Sequence, residues 1–107
     1  MAIDTQTILW PGESGTKYKY WIYPIGKQLA AKGGNYIFAK KNAKGHWVPI
    51  YIGQTKNLNE RFDNHHKADC INRNGATHIH AHLEPSEAAR LAEETDLVRR
   101  WKPPCNG

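Results

Sequence analysis

The first clear alternation of apolar and polar positions runs from Lys17 to Tyr23 (KYKYWIY). Tyr18, Tyr20 and Ile22 point one way and Lys17, Lys19 and Trp21 the other, the two-residue period of a strand. A turn over residues 10–16 (WPGESGT) precedes it, and Pro24 and Gly26 end it. Lys32, Gly33 and Gly34 read as a flexible joint. Two further strands, over 35–40 and about 46–52, flank a turn at 42–45 and form a hairpin. Gly53-Gln54-Thr55-Lys56 breaks the strand pattern. Asn57 is suited to cap a helix and Glu60 stands at the third helical position, so a helix is expected from there to about Asp69. Residues 71–76 read as loop and His78 to Leu83 (HIHAHL) as a short strand. Ser86 opens a second helix that continues to about Trp101, where Pro103-Pro104 stops it. This order predicts an α+β fold: a small, mostly antiparallel three-stranded sheet flanked by helices, with an extra N-terminal strand or hairpin. Residues 1–33 form a β extension packed on a domain over 34–107, one compact unit overall.

Helical periodicity then separates particular side chains. In the first expected helix Leu58, Arg61, Phe62 and His65 share one face, and Arg61 and His65 are surface neighbours four apart. Such a pair can hold a phosphate, or can lie over the core with its polar tips in water. In the second helix the apolar arc contains Ala88, Leu91, Val98 and Trp101, with Thr95 beside them. Glu94 falls inside that arc, whereas Glu93 points to solvent. Glu87 sits in the first turn, where the helix dipole favours an acid. A carboxylate on an apolar arc needs a cation, a hydrogen-bond network or a metal; a salt bridge to Arg61 is the structural alternative. His78, His80 and His82 share one strand face. Together with His65, His66 and Cys70 they could make a transition-metal site, but familiar ligand spacings are missing, and an outward polar face is the plainer reading.

Composition adds a partner class. The chain has 107 residues, suited to one domain, with 15 Lys and Arg against 10 Asp and Glu and a net charge of +5. That balance favours a polyanion, nucleic acid first. Cys70 and Cys105 do not suggest a disulfide framework and read as free thiols. The N-terminus lacks the basic start and apolar core of a signal peptide, and apolar runs of membrane-spanning length are missing. The expected setting is soluble and cytoplasmic.

Six elements in order resemble the GIY-YIG endonuclease family over residues 34–106. Gly34-Asn35-Tyr36 is similar to the first motif, with Asn35 in place of the usual Ile. Tyr51-Ile52-Gly53 matches the second letter for letter. Arg61 follows Tyr51 by ten residues and His65 follows by four more. Glu94 with Leu97 and Val98 resembles the family's acidic helix, and Asn106 its terminal asparagine. The tyrosine motifs stand further apart than is common, which implies a longer hairpin turn. The resemblance implies a hydrolase acting on DNA phosphodiesters with a single Mg²⁺ or Mn²⁺ held by Glu94. Arg61 would clamp the phosphate. Tyr36 is the candidate base, with His65 as its rival. Tyr51 would orient water and phosphate, and Asn106 would fix the wall of the site. Gly53 would admit close backbone approach before the helix, and Gly34 would be a second structural residue at the site. Lys56, Lys67, Arg73, Arg99 and Arg100 are candidates for contacts to nucleic acid. With no attached sequence reader, selectivity should be weak or structure-based. A non-catalytic nucleic-acid-binding module of the same fold and a histidine-rich metal-binding protein are the competing readings.

Overall fold

The computed structural model describes residues 6–60 and 65–107. Its strands are β1 (Thr7–Pro11), β2 (Lys17–Pro24), β3 (Gly34–Lys41), β4 (Trp47–Thr55) and β5 (His78–Leu83). They form one antiparallel sheet in the order β1-β2-β5-β3-β4. The three-stranded sheet expected from the sequence is therefore corrected to a five-stranded, curled sheet in an α+β fold. The N-terminal hairpin is not laid over a finished sheet: β2 pairs directly with β5, Trp21 opposite Ala81 and Tyr23 opposite Ile79. Patterning shows which face of β2 is apolar, but it does not name the strand that fills its hydrogen-bonding edge.

The local reasons for these strands are plain. β2 alternates as predicted, with Tyr20 fully buried and Lys19 exposed. β3 is central, covered on both sides, and buried from Gly34 through Ala39. Residues 42–46 turn the β3–β4 hairpin, where the Asn42 side-chain oxygen accepts from the backbone N–H groups of Lys44 and His46. Gly45 supplies a φ of 80° there. Gly34 is not a flexible joint: a Cβ on it would lie 2.1 Å from the His82 carbonyl oxygen.

Helices cover the two faces. α2 (Glu87–Trp101) begins at Ser86, whose hydroxyl accepts from the Ala89 N–H as a cap should. Leu97 of α2 packs with Trp10, Tyr20, Ile37 and Ile52. On the other face Tyr36, Phe38, Tyr51, Leu58, Ile71 and Ile79 form a second cluster, closed by α1 (Ala68–Arg73). The expected helix beginning after Asn57 is absent from the described residues up to Glu60. There the Asn57 side-chain oxygen accepts from Asn59 N–H, and Leu58 N–H is drawn back to the Lys32 carbonyl. Asn57 closes a turn on itself instead of capping. Among the described residues the helix α1 begins at Ala68 and runs into the stretch read as loop.

Two more expectations are corrected. Cys70 and Cys105 are not free thiols: they are bonded, with Cα atoms 5.8 Å apart, tying α1 to the 3₁₀ turn Pro104–Asn106. That removes the cysteine argument for a reducing, cytoplasmic setting. Among the described residues no helix is long and apolar enough to cross a membrane. The inward face of α2 is also rotated from the expected arc. Arg90, Glu93 and Leu97 are buried, while Ala88 is exposed and Leu91 is 45% exposed.

Candidate active site at the edge of the sheet

Two carboxylates on α2 lead to different chemistry. Glu93, expected in solvent, is buried and accepts from Tyr20 Oη–H and, at 2.6 Å, from His82 Nε2–H. Polar partners from β2 and β5 make its burial tolerable. Burial and the neighbouring Glu93 charge push the Tyr20 hydroxyl well above its ordinary value. The same face holds His80, fully buried, which accepts at Nδ1 from Trp10 Nε1–H at 3.0 Å. Its ring meets Trp47 edge-on at 4.7 Å. Burial holds the His80 imidazole down at about 4. The outward polar face expected for His78, His80 and His82 is thus an inward face. The three have separate partners: Thr77, Trp10 and Glu93. Among the described residues no group of three or more His, Cys, Asp or Glu converges as a metal cage.

Glu94, one residue on, is half-buried, and among the described residues no donor or cation pairs with it. Loss of water raises its carboxyl above the usual range. Its charge also raises the hydroxyls of Tyr36 and Tyr51. For each tyrosine, burial is the largest cause of the rise.

Tyr36 and Tyr51 come from neighbouring strands, their rings 6.1 Å apart. Gly53 is opposite Tyr36 in the β3–β4 register. A Cβ there would meet the Tyr36 ring and hydroxyl at 2.6 Å and the Tyr51 ring at 2.8 Å. The glycine is needed for the tyrosines to converge. His65 completes the group, its Nε2 2.7 Å from the Tyr36 hydroxyl and its ring edge-on to Tyr51 at 5.0 Å.

Proton positions follow from the partners. The Lys67 backbone N–H donates to His65 Nδ1 at 3.0 Å. Burial, then the neighbouring His66, lowers His65, so the ring is neutral near pH 7. A neutral ring that accepts at Nδ1 carries its proton on Nε2. His65 therefore donates to the Tyr36 oxygen.

Asn106 lies at the same edge. Its side-chain oxygen accepts from Ile52 N–H and its amide donates to the Ile52 carbonyl, both at 2.8 Å. It completes the outer edge of β4 beside Tyr51, as a further strand would. Gly34 is at the start of β3 and Lys56 is exposed after β4. Arg73 ends α1, and Arg99 and Arg100 are exposed in the last turn of α2. Arg61 lies outside the described residues. One buried side chain escaped the sequence reading: Arg90 donates from Nε to Gln54 and from Nη1 to the carbonyls of Glu84 and Pro85. Its acceptors are dispersed in sequence, and only its position four before Glu94 marked it.

No family model matches this chain, and neither a curated protein nor a solved structure matches it. The resemblance rests on the order and spacing of the motif residues.

Proposed function

We propose that the protein is a metal-dependent endonuclease that hydrolyses DNA phosphodiesters at the cluster of Tyr36, Tyr51, His65 and Glu94, with Arg61 as its phosphate clamp. The observation that carries this reading is Glu94. A half-buried carboxylate without a described partner, whose charge raises two phenols, fits a hard cation better than it fits a structural role. Glu94 would hold Mg²⁺ or Mn²⁺, which when bound supplies charge stabilisation to the phosphate and the leaving oxygen.

The chain's own groups do the rest. The Tyr36 oxygen already accepts from His65 Nε2–H, which makes it a poorer acceptor for a proton from water, and His65 carries its own proton on the nitrogen that faces Tyr36. This favours Tyr51 as the base. Burial and Glu94 hold both phenols above their ordinary range, so Arg61 is assigned a second task, offsetting the Glu94 charge. Asn106 fixes the Tyr51–Gly53 segment through Ile52. A cytoplasmic setting, where DNA is at hand, belongs to this reading and requires the Cys70–Cys105 bond to persist there.

The test is nicking of plasmid and cutting of single-stranded and branched DNA, with Mg²⁺ and with chelator, by wild type and Arg61→Ala. Cleavage that needs the metal and falls by about 10²-fold or more in the variant supports the reading. DNA binding without any cleavage would instead favour a non-catalytic module.

A further inference from the structure

Charge is divided unevenly along the chain. From Lys17 to Asn59 there are eight lysines and no carboxylate, although the whole chain carries only +5. β2 places Lys17, Lys19 and Trp21 on its outward side, with Leu9 of β1 opposite Lys19. Leu9 is 55% and Trp21 36% exposed, and the Lys19 ammonium stands 5.3 Å from the centre of the Trp21 ring. Trp21 is in register with Ala81 of β5, and Ala81 with Tyr36 of β3. Paired residues share a face, so Trp21 and Tyr36 stand on the same side of the sheet, two strand spacings or about 10 Å apart. The connection from β2 to β3 crosses on that side, where Leu29 packs against the Tyr36 cluster. It carries Lys27 and Lys32, both exposed.

A single exposed tryptophan would need no explanation. Here it is set among lysines, within the stretch from Lys17 to Asn59 that carries no carboxylate, on the face that holds the candidate active site. We propose that this face of β1–β2 is a docking track for single-stranded nucleic acid. An unpaired base stacks on Trp21, Lys17 and Lys19 take flanking phosphates, and Lys27 and Lys32 lead the strand towards Tyr36. Stacking needs an open base face, which a duplex does not offer along its length. The substrate class rests on the nuclease reading of the site, so the test measures binding apart from cleavage.

The test is fluorescence anisotropy of a labelled oligothymidylate with the full chain in chelator, at several salt concentrations, with a duplex of equal length beside it. Trp21→Ala should weaken binding by about 5- to 150-fold, while Trp21→Phe, which keeps a ring, stays near wild type. Neither should change the salt slope. The double variant Lys17→Gln/Lys19→Gln should weaken binding and lower the salt slope by about 1.4, the value for two single-strand phosphates. Both positions are exposed, and unfolding curves matching wild type exclude a folding cause. Absence of wild-type binding, tighter binding of the duplex, or wild-type affinity in Trp21→Ala overturns the track. Affinity lost in Trp21→Ala by a protein that never cuts would keep the track and remove the nuclease reading. Metal-dependent cutting with affinity unchanged in Trp21→Ala would do the reverse.

Discussion

Glu93 and Glu94 are neighbours on one helix with opposite surroundings. Glu93 is the more buried, yet its charge is met by Tyr20 and His82 and it lies under the helix within a satisfied network. Glu94 keeps part of its surface, yet nothing described meets its charge, and loss of water alone raises its carboxyl. Burial by itself therefore does not mark a functional acid. What separates the two is whether the fold supplies the partner. On the α2 face Glu93 is met by Tyr20 and His82, although His80 Nε2 and the Asn35 side-chain oxygen lack a partner among the described residues, while Glu94 on the same helix has no described partner at all.

The predictions press on that division. On the Glu94 side, Tyr51→Phe should lower cleavage by about 10²- to 10⁴-fold and leave the unfolding midpoint close to wild type. A large shift in the midpoint would put Tyr51 among the packing residues. The disulfide braces the same side. Its cysteines are 35 residues apart, so the double variant Cys70→Ser/Cys105→Ser should lose about 4 kcal/mol in denaturant unfolding. An equal stability with and without a reductant would deny it that role.

On the α2 face the effects should be on stability alone. His80 falls from an ordinary 6.5 to about 4 in the fold. Above pH 6.5 it is neutral in both states. Between pH 6.5 and 4 the unfolded chain takes a proton that the fold refuses, so stability falls as pH drops, by up to about 3 kcal/mol. In His80→Phe that part of the acid slope should vanish in unfolding curves recorded across the window. The smallest change is Glu93→Gln. It should cost about 1–3 kcal/mol, because a neutral amide oxygen accepts more weakly than a carboxylate and its buried NH₂ brings donors that need new partners, while the cleavage rate measured well below the midpoint stays within a few-fold of wild type.

Much of this arrangement was legible in the sequence where the signal is local. The alternation of Lys17 to Tyr23, the turn at Asn42 to Gly45, the strand HIHAHL and the Ser86 cap all act within a few residues of themselves. The five-stranded sheet was not legible, because β2 finds β5 across most of the chain and hydrogen-bonding edges leave no mark on side-chain patterning. The inward face of α2 was misread for a related reason. Arg90 and Glu93 count as polar in any periodicity, and only Gln54, Tyr20 and His82, brought in from other strands, make them core residues. Asn57 misled because the same side chain can cap a helix or close a turn. Cys70 and Cys105 carried no spacing that distinguishes a bonded pair from two thiols. Of the candidate site, Tyr36, Tyr51 and His65 lie together in the structure; the direction of the His65–Tyr36 bond needed the Lys67 backbone bond to His65, which sequence does not display.

The most direct measurement compares Glu94→Gln with Glu93→Gln in one DNA-cleavage assay across a Mg²⁺ titration, with unfolding curves for both. The account predicts that Glu94→Gln loses about 10³-fold or more in rate at unchanged or slightly higher stability, and that Glu93→Gln keeps the rate and loses stability. Metal-dependent cleavage that survives undiminished in Glu94→Gln would contradict it.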